Sequence, residues 1–141
     1  MNYQIRVPPF GRFLDQLNAA GLETRTARGF WGGVTPTGEI IVTTWIDQNL
    51  GQGRFAIWRP RTNHGGLKTA WEVGNIHVGT EVRVILVRNR GPVPDDDEAV
   101  RSVADAALLP GKWRVVKMGD GHECDAAIEP MPQNNLDLIS Q

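Results

Sequence analysis

Apolar and polar positions are best organised over residues 39–60, Glu-Ile-Ile-Val-Thr-Thr-Trp-Ile-Asp-Gln-Asn-Leu-Gly-Gln-Gly-Arg-Phe-Ala-Ile-Trp-Arg-Pro. Side chains alternate across a strand, so Ile40, Val42, Thr44 and Ile46 share one face of a first strand, and Phe55 and Ile57 one face of a second. The short Gly-rich connection 47–53 predicts an antiparallel return at the middle of the only sheet. The opposite face carries Ile41, Thr43 and Trp45 on the first strand, with Arg54, Ala56 and Trp58 on the second. A sheet wet on one side would keep that face polar, so something must cover it or bind to it. The run Thr80-Glu81-Val82-Arg83-Val84-Ile85-Leu86-Val87-Arg88 repeats the pattern: Val82, Val84 and Leu86 are apolar on one side, and Ile85 and Val87 on the other. Burial of both faces at the sheet centre follows.

Elsewhere the period changes. Phe10, Phe13, Leu14 and Leu17 recur at helical spacing after Pro8 and Pro9, and Gly21 stands where a helix would stop, which predicts a helix over 10–20. Residues 22–31, with threonines and aromatics, read as a strand. Gly32-Gly33 then allows a bend, and Thr35-Pro36-Thr37-Gly38 a tight turn into a hairpin with 39–46. The segment 61–68, Arg-Thr-Asn-His-Gly-Gly-Leu-Lys, has no period and reads as an exposed loop, while 69–76 fits a strand or a single helical turn equally well. Asp95 and Glu98 have capping-box spacing, and Ala99, Val100, Val103 and Ala107 form an apolar stripe, which predicts a second helix over 95–109. Residues 112–118 read as the last strand and 119–141 as an irregular tail. The expected architecture is α+β: a curved, mostly antiparallel sheet of five or six strands, a roll or partly closed barrel, with two short helices packed on it.

At 141 residues the chain is expected to form a single domain with a core of its own, and 16 glycines with 9 prolines fit a strand-rich fold with many turns. One cysteine, Cys124, cannot form an internal disulfide, in keeping with a reducing cytoplasmic location. No stretch approaches the apolar length needed to span a bilayer, and no membrane partner is expected. The formal net charge of −1 conceals an asymmetry: residues 23–90 hold nine Lys/Arg against five Asp/Glu, a balance of +4, whereas the ten acids and four bases beyond Arg90 give −6. Such halves steer a polyanion to the middle of the chain or pair one subunit with another.

The residues that carry chemistry cluster at 58–71. Trp58, Arg59, Arg61, His64, Lys68 and Trp71 interleave cationic and planar side chains around a Gly-rich loop. Bases stack on indoles and guanidinium planes while Lys and Arg hold phosphates, so the mixture suits a nucleic acid or another anionic planar ligand. The plainer alternative is that tryptophans in a small β-rich domain are core residues with arginine stems laid over them. His64, His77 and Asp47 are the weaker possibility of an acid–base site, because histidine titrates near neutrality and a carboxylate can orient it. His122, Glu123, Cys124 and Asp125 include every common metal-ligand type but lack the spacing of a metal motif, and no metal or cofactor is expected. Gly29-Phe30-Trp31-Gly32-Gly33 lacks the Lys-Ser/Thr of a phosphate loop, and Cys124 has no evident base. Three functions follow in order: a non-enzymatic binding module using the Arg/Trp surface; a homo-oligomer built on an apolar face of Ile41, Trp45, Trp58, Ile85 and Val87; and a small hydrolase or isomerase working through His64 or His77.

Overall fold

The computed structural model describes residues 3–5, 7–93, 101–119, 121, 124–131 and 138–140. The described residues are α+β, with two short helices on a mixed, mostly antiparallel sheet of eight strands that is not closed. In chain order the elements are β1 (Tyr3–Ile5), α1 (Phe13–Ala19), β2 (Gly32–Val34), β3 (Ile40–Trp45), β4 (Asn49–Gly51), β5 (Arg54–Ile57), α2 (Leu67–Glu72), β6 (Glu81–Asn89), β7 (Val103–Leu108), β8 (Trp113–Met118), β9 (Ala126–Pro130) and β10 (Leu138–Ser140). The main sheet runs β2-β3-β6-β8-β9-β5-β4, with β7 also on β6, while β1 and β10 pair in a separate ribbon.

The strongest strand of the sequence organises the sheet. β6 pairs parallel with β3 along its length, Val42 opposite Val84 and Thr44 opposite Leu86. Its other edge is divided: β8 takes Glu81 and Val82, and β7 takes Ile85 to Asn89. Between them the Leu109 N–H donates to the Val84 carbonyl at 2.8 Å, so the turn at Pro110-Gly111 barely interrupts the ladder.

Both faces of this centre are filled, as the alternation requires. Val42, Phe55, Ile57, Val82, Val84 and Leu86 meet Trp113, Ile128 and the buried side of α2 (Leu67, Ala70, Trp71) in one core. Ile41, Ile85 and Val87 point the other way and meet Leu17 of α1, Ala20 just after it, Leu22, and the half-buried Phe30, Trp31 and Trp45. Ala56, Cys124 and Ala127 form a smaller cluster under Trp58 and Val116. Ile41, Ile85 and Val87 of the apolar outer face are therefore covered by the chain's own helix and its 22–31 segment, whereas Trp45 and Trp58 of that expected face are half-buried.

Five expectations are corrected. β3 and β5 are not ladder partners, because β2 and β6 occupy the two edges of β3; one buried bond, Thr44 Oγ1 to the Ala56 carbonyl at 2.7 Å, links them instead. The segment 22–31 forms no strand. Its threonines, taken as strand formers, bond their own neighbourhood: Thr24 Oγ1 donates to the Thr26 carbonyl, and the Thr26 and Arg28 N–H groups donate to Thr24 and Thr26 hydroxyls. The hairpin into β3 starts instead from the presumed bend, with Gly33 opposite Ile41 and Val34 opposite Ile40. Where a helix was expected over 95–109, residues 103–108 are β7: an apolar edge on β6 demands partners for its backbone, and ladder pairing outweighs a helical stripe of small residues. The capping-box positions Asp95 and Glu98 lie outside the described residues. Finally, the stretch read as an irregular tail contains β9, which sits between β8 and β5, so the sheet has eight strands rather than five or six. The ambiguous 69–76 segment falls largely to α2 and the turn after it.

Candidate functional site

Two irregular segments, 27–30 and 61–66, are clasped together beside α2. The Gly29 carbonyl accepts from Thr62 Oγ1 at 2.9 Å and from His64 Nδ1 at 2.9 Å. A carbonyl only accepts, so His64 carries its proton on Nδ1 and leaves Nε2 unengaged among the described residues. The imidazole also stacks on Phe30, with ring centroids 5.5 Å apart and planes at 25°. Beneath it, Gly65 lies against Gly32 and Gly33 of β2 so closely that no side chain fits between the backbones. Asn63 ties the loop to α2: its Nδ2 donates to Thr69 Oγ1 at 2.7 Å and its Oδ1 accepts from the Thr69 N–H at 3.0 Å. Of the loop expected at 61–68, residues 61–65 are exposed and held in shape by these contacts, whereas Leu67 is buried in the core and opens α2.

The predicted constellation divides. Arg61, His64 and Lys68 lie on the clasp side, all exposed, with Lys68 3.9 Å from Glu72 one helical turn on. The Arg59 guanidinium lies 5.5 Å from the centre of the Trp71 ring. Trp71 itself is only 4% exposed and belongs to the core, with no partner for its Nε1. Trp58 points to the opposite side of β5, half-buried over Ala56 and Cys124, its Nε1 donating to Gln48 Oε1 at 3.3 Å. The two indoles therefore line no common cleft.

The acid–base trio is scattered. Asp47 accepts both guanidinium nitrogens of Arg101, at 2.6 and 3.1 Å, His77 is exposed with its Nδ1 3.0 Å from the carbonyl of its neighbour Val78, and His64 is in the clasp. Of the 122–125 run, Cys124 is buried and Asp125 accepts the Arg59 N–H at 2.7 Å, while His122 and Glu123 lie outside the described residues. Among the described residues no three His, Cys, Asp or Glu side chains gather as a metal site would need. A polar groove of about 460 Å³ lies elsewhere, at the N-terminal ends of β3 and β6, lined by Thr37, Glu39, Thr80, Glu81 and Lys112. It contains none of the candidate site residues read from the sequence.

Pattern reading missed two features. Arg25 and Arg28 are exposed and have no carboxylate partner among the described residues; the Gly29 clasp sets the backbone next to Arg28 beside that next to Arg61, which no local spacing encodes. Phe13, Trp31 and Trp45 form a continuous row with centroids 6.2 and 5.2 Å apart, ending under the Arg101 guanidinium 3.9 Å above Trp45. Every ring of that row is half-buried. Among the described residues no helix is long and apolar enough to cross a membrane. Comparison with family models, with curated proteins and with solved structures finds no match.

Proposed function

We propose that this chain is a binding module for a polyanion of nucleic-acid type, held where the 25–30 and 59–68 segments adjoin. The observation that carries the reading is the doubly bonded Gly29 carbonyl, which joins the backbone beside Arg28 to the backbone beside Arg61. Arg25, Arg28 and Arg61 are exposed without a carboxylate partner among the described residues, so neutralising them costs no existing ion pair. Contrast Arg54, Arg88, Arg101 and Arg114, each of which already holds an acid. Guanidinium groups meet phosphate oxygens through two parallel donors, which makes unpaired arginine the suitable residue for this surface.

Such binding releases condensed counterions, so log Kobs should fall linearly with log salt at a slope of roughly −0.7 to −0.9 per phosphate engaged. With three or four cations engaged, fluorescence anisotropy on a labelled 20-nucleotide probe is expected to give a slope of about −2 to −3.5. The R28A/R61A double variant should bring it toward zero by about two contacts. Absence of binding at low salt, or binding indifferent to salt, overturns the proposal.

A further inference from the structure

The cationic clasp explains attraction to phosphates but leaves the rings around it unused. Phe30 holds the stacked His64, Trp31 follows it in the chain, and Trp31 meets Trp45 at 5.2 Å. Phe30, Trp31 and Trp45 are half-buried on the outer face of the sheet, and His64 is exposed. The His64 ring cannot turn freely, because one face rests on Phe30 and Nδ1 is bonded to Gly29, so its other face is presented in a fixed orientation. At the Trp45 end Arg101 closes the row, and its charge is already taken by Asp47 at 2.6 Å. The clasp thus sets the backbone beside Arg28 and Arg61 next to the Phe30–His64 stack, while the far end of the row is capped by the paired Arg101.

Ring faces next to free cations serve a ligand whose own rings are accessible. In a duplex the bases are stacked on one another and are read through grooves by an inserted helix or ribbon. Here α1 and α2 span seven and six residues, and each buries its apolar side in the core, so neither projects as a reading element. A single strand has unstacked bases, and stacking them on aromatic side chains is tolerant of sequence.

Resting on the proposed polyanion site, we infer that the ligand strand is single and that its bases stack on the outer face of His64 and on Trp31 while Arg28 and Arg61 hold its phosphates. The proposal is tested by competition among three probes of equal phosphate number: a single-stranded oligothymidylate, a duplex, and an abasic single strand. The oligothymidylate is expected to bind at least about 10-fold more tightly than either other probe and to quench indole fluorescence, and W31F should reduce the quenching. H64A should erase most of the preference for the base-bearing strand over the abasic one, and H64F, which restores a ring without the Gly29 bond, should recover it. Equal affinity for strands with and without bases, or equal binding of duplex, overturns the stacking inference while leaving salt-dependent polyanion binding intact. Loss of all salt-dependent binding removes this inference and the function it rests on together.

Discussion

A Cβ built on Gly65 would stand 2.9 Å from the Gly32 carbonyl oxygen and 3.1 Å from the Gly33 Cα, both backbone atoms that cannot step aside. Gly66, the next residue, has the same left-handed backbone (φ 84° against 81°) and nothing within 4 Å of its missing Cβ. The two alanine variants therefore separate the two reasons for glycine. G66A should cost only the conformational penalty of a left-handed non-glycine residue, about 1–2 kcal/mol. G65A adds displacement of the loop from β2 and should lower stability by roughly 1–3 kcal/mol beyond that in urea denaturation, the usual range for overpacking a tight site. Equal losses in the two variants would mean that the loop does not bear on the glycines of β2. The sequence shows the Gly-Gly pairs at 32–33 and 65–66 plainly, yet each reads locally as a bend or a flexible loop. Their meaning lies in one packing against the other across more than thirty residues, and spacing within either pair does not contain it.

Elements whose burial is set by their own period were readable from the sequence. α1 follows from Phe13, Leu14 and Leu17, and β6 from valines and isoleucines apolar on two sides. β7 was not readable, since Val103-Ala104-Asp105-Ala106-Ala107-Leu108 has little strand propensity and takes its conformation from the edge it completes. A cross-strand pair in that ladder gives a direct probe. Asp105 stands opposite Arg88, whose Nε donates to Asp105 Oδ1 at 2.7 Å and whose Nη2 meets the other carboxylate oxygen, while Phe10 lies 4.1 Å under the guanidinium. The Arg88 hydrogen bonds, opposed by desolvation and aided by its charge, hold the Asp105 carboxyl below its ordinary value. A depressed acid stabilises the folded state above the unfolded aspartate pKa of about 3.9, and the contribution is lost as pH falls through the lower folded value. Carboxyl NMR titration should find Asp105 protonating below that ordinary range, and R88M should return it there. A normal midpoint in the wild-type chain would show that β7 does not pair with β6 in this register.

For the molecule as a whole, the demand placed by the two-sided apolar sheet is met internally. Ile41, Ile85 and Val87 each have 0% exposure under α1 and the 22–31 segment, so these three side chains are spent within one chain, while Trp45 and Trp58 of the same expected face stay half-buried. Among the described residues the large apolar side chains left exposed are spread along the chain: Val7, Ile46 and Leu50 around the 46–51 turn, Val73 and Val78 after α2, Val93, and Met118 at the end of β8. A stable dimer buries about 1,200–2,000 Å² in a contiguous patch, which scattered side chains of this kind do not supply. What remains to draw copies together is the opposed charge of the 23–90 and 91–141 portions, and attraction between exposed charges decays over a Debye length of about 8 Å at physiological salt. Sedimentation equilibrium is accordingly expected to return 15.6 kDa at every loading concentration once salt reaches roughly 0.15 M. Any association seen at low salt should vanish along the same series. A dimer that persists at high salt would require an apolar contact that α1 and residues 22–31 leave open, and would reverse the conclusion that the outer face of β3 and β6 is satisfied within the chain.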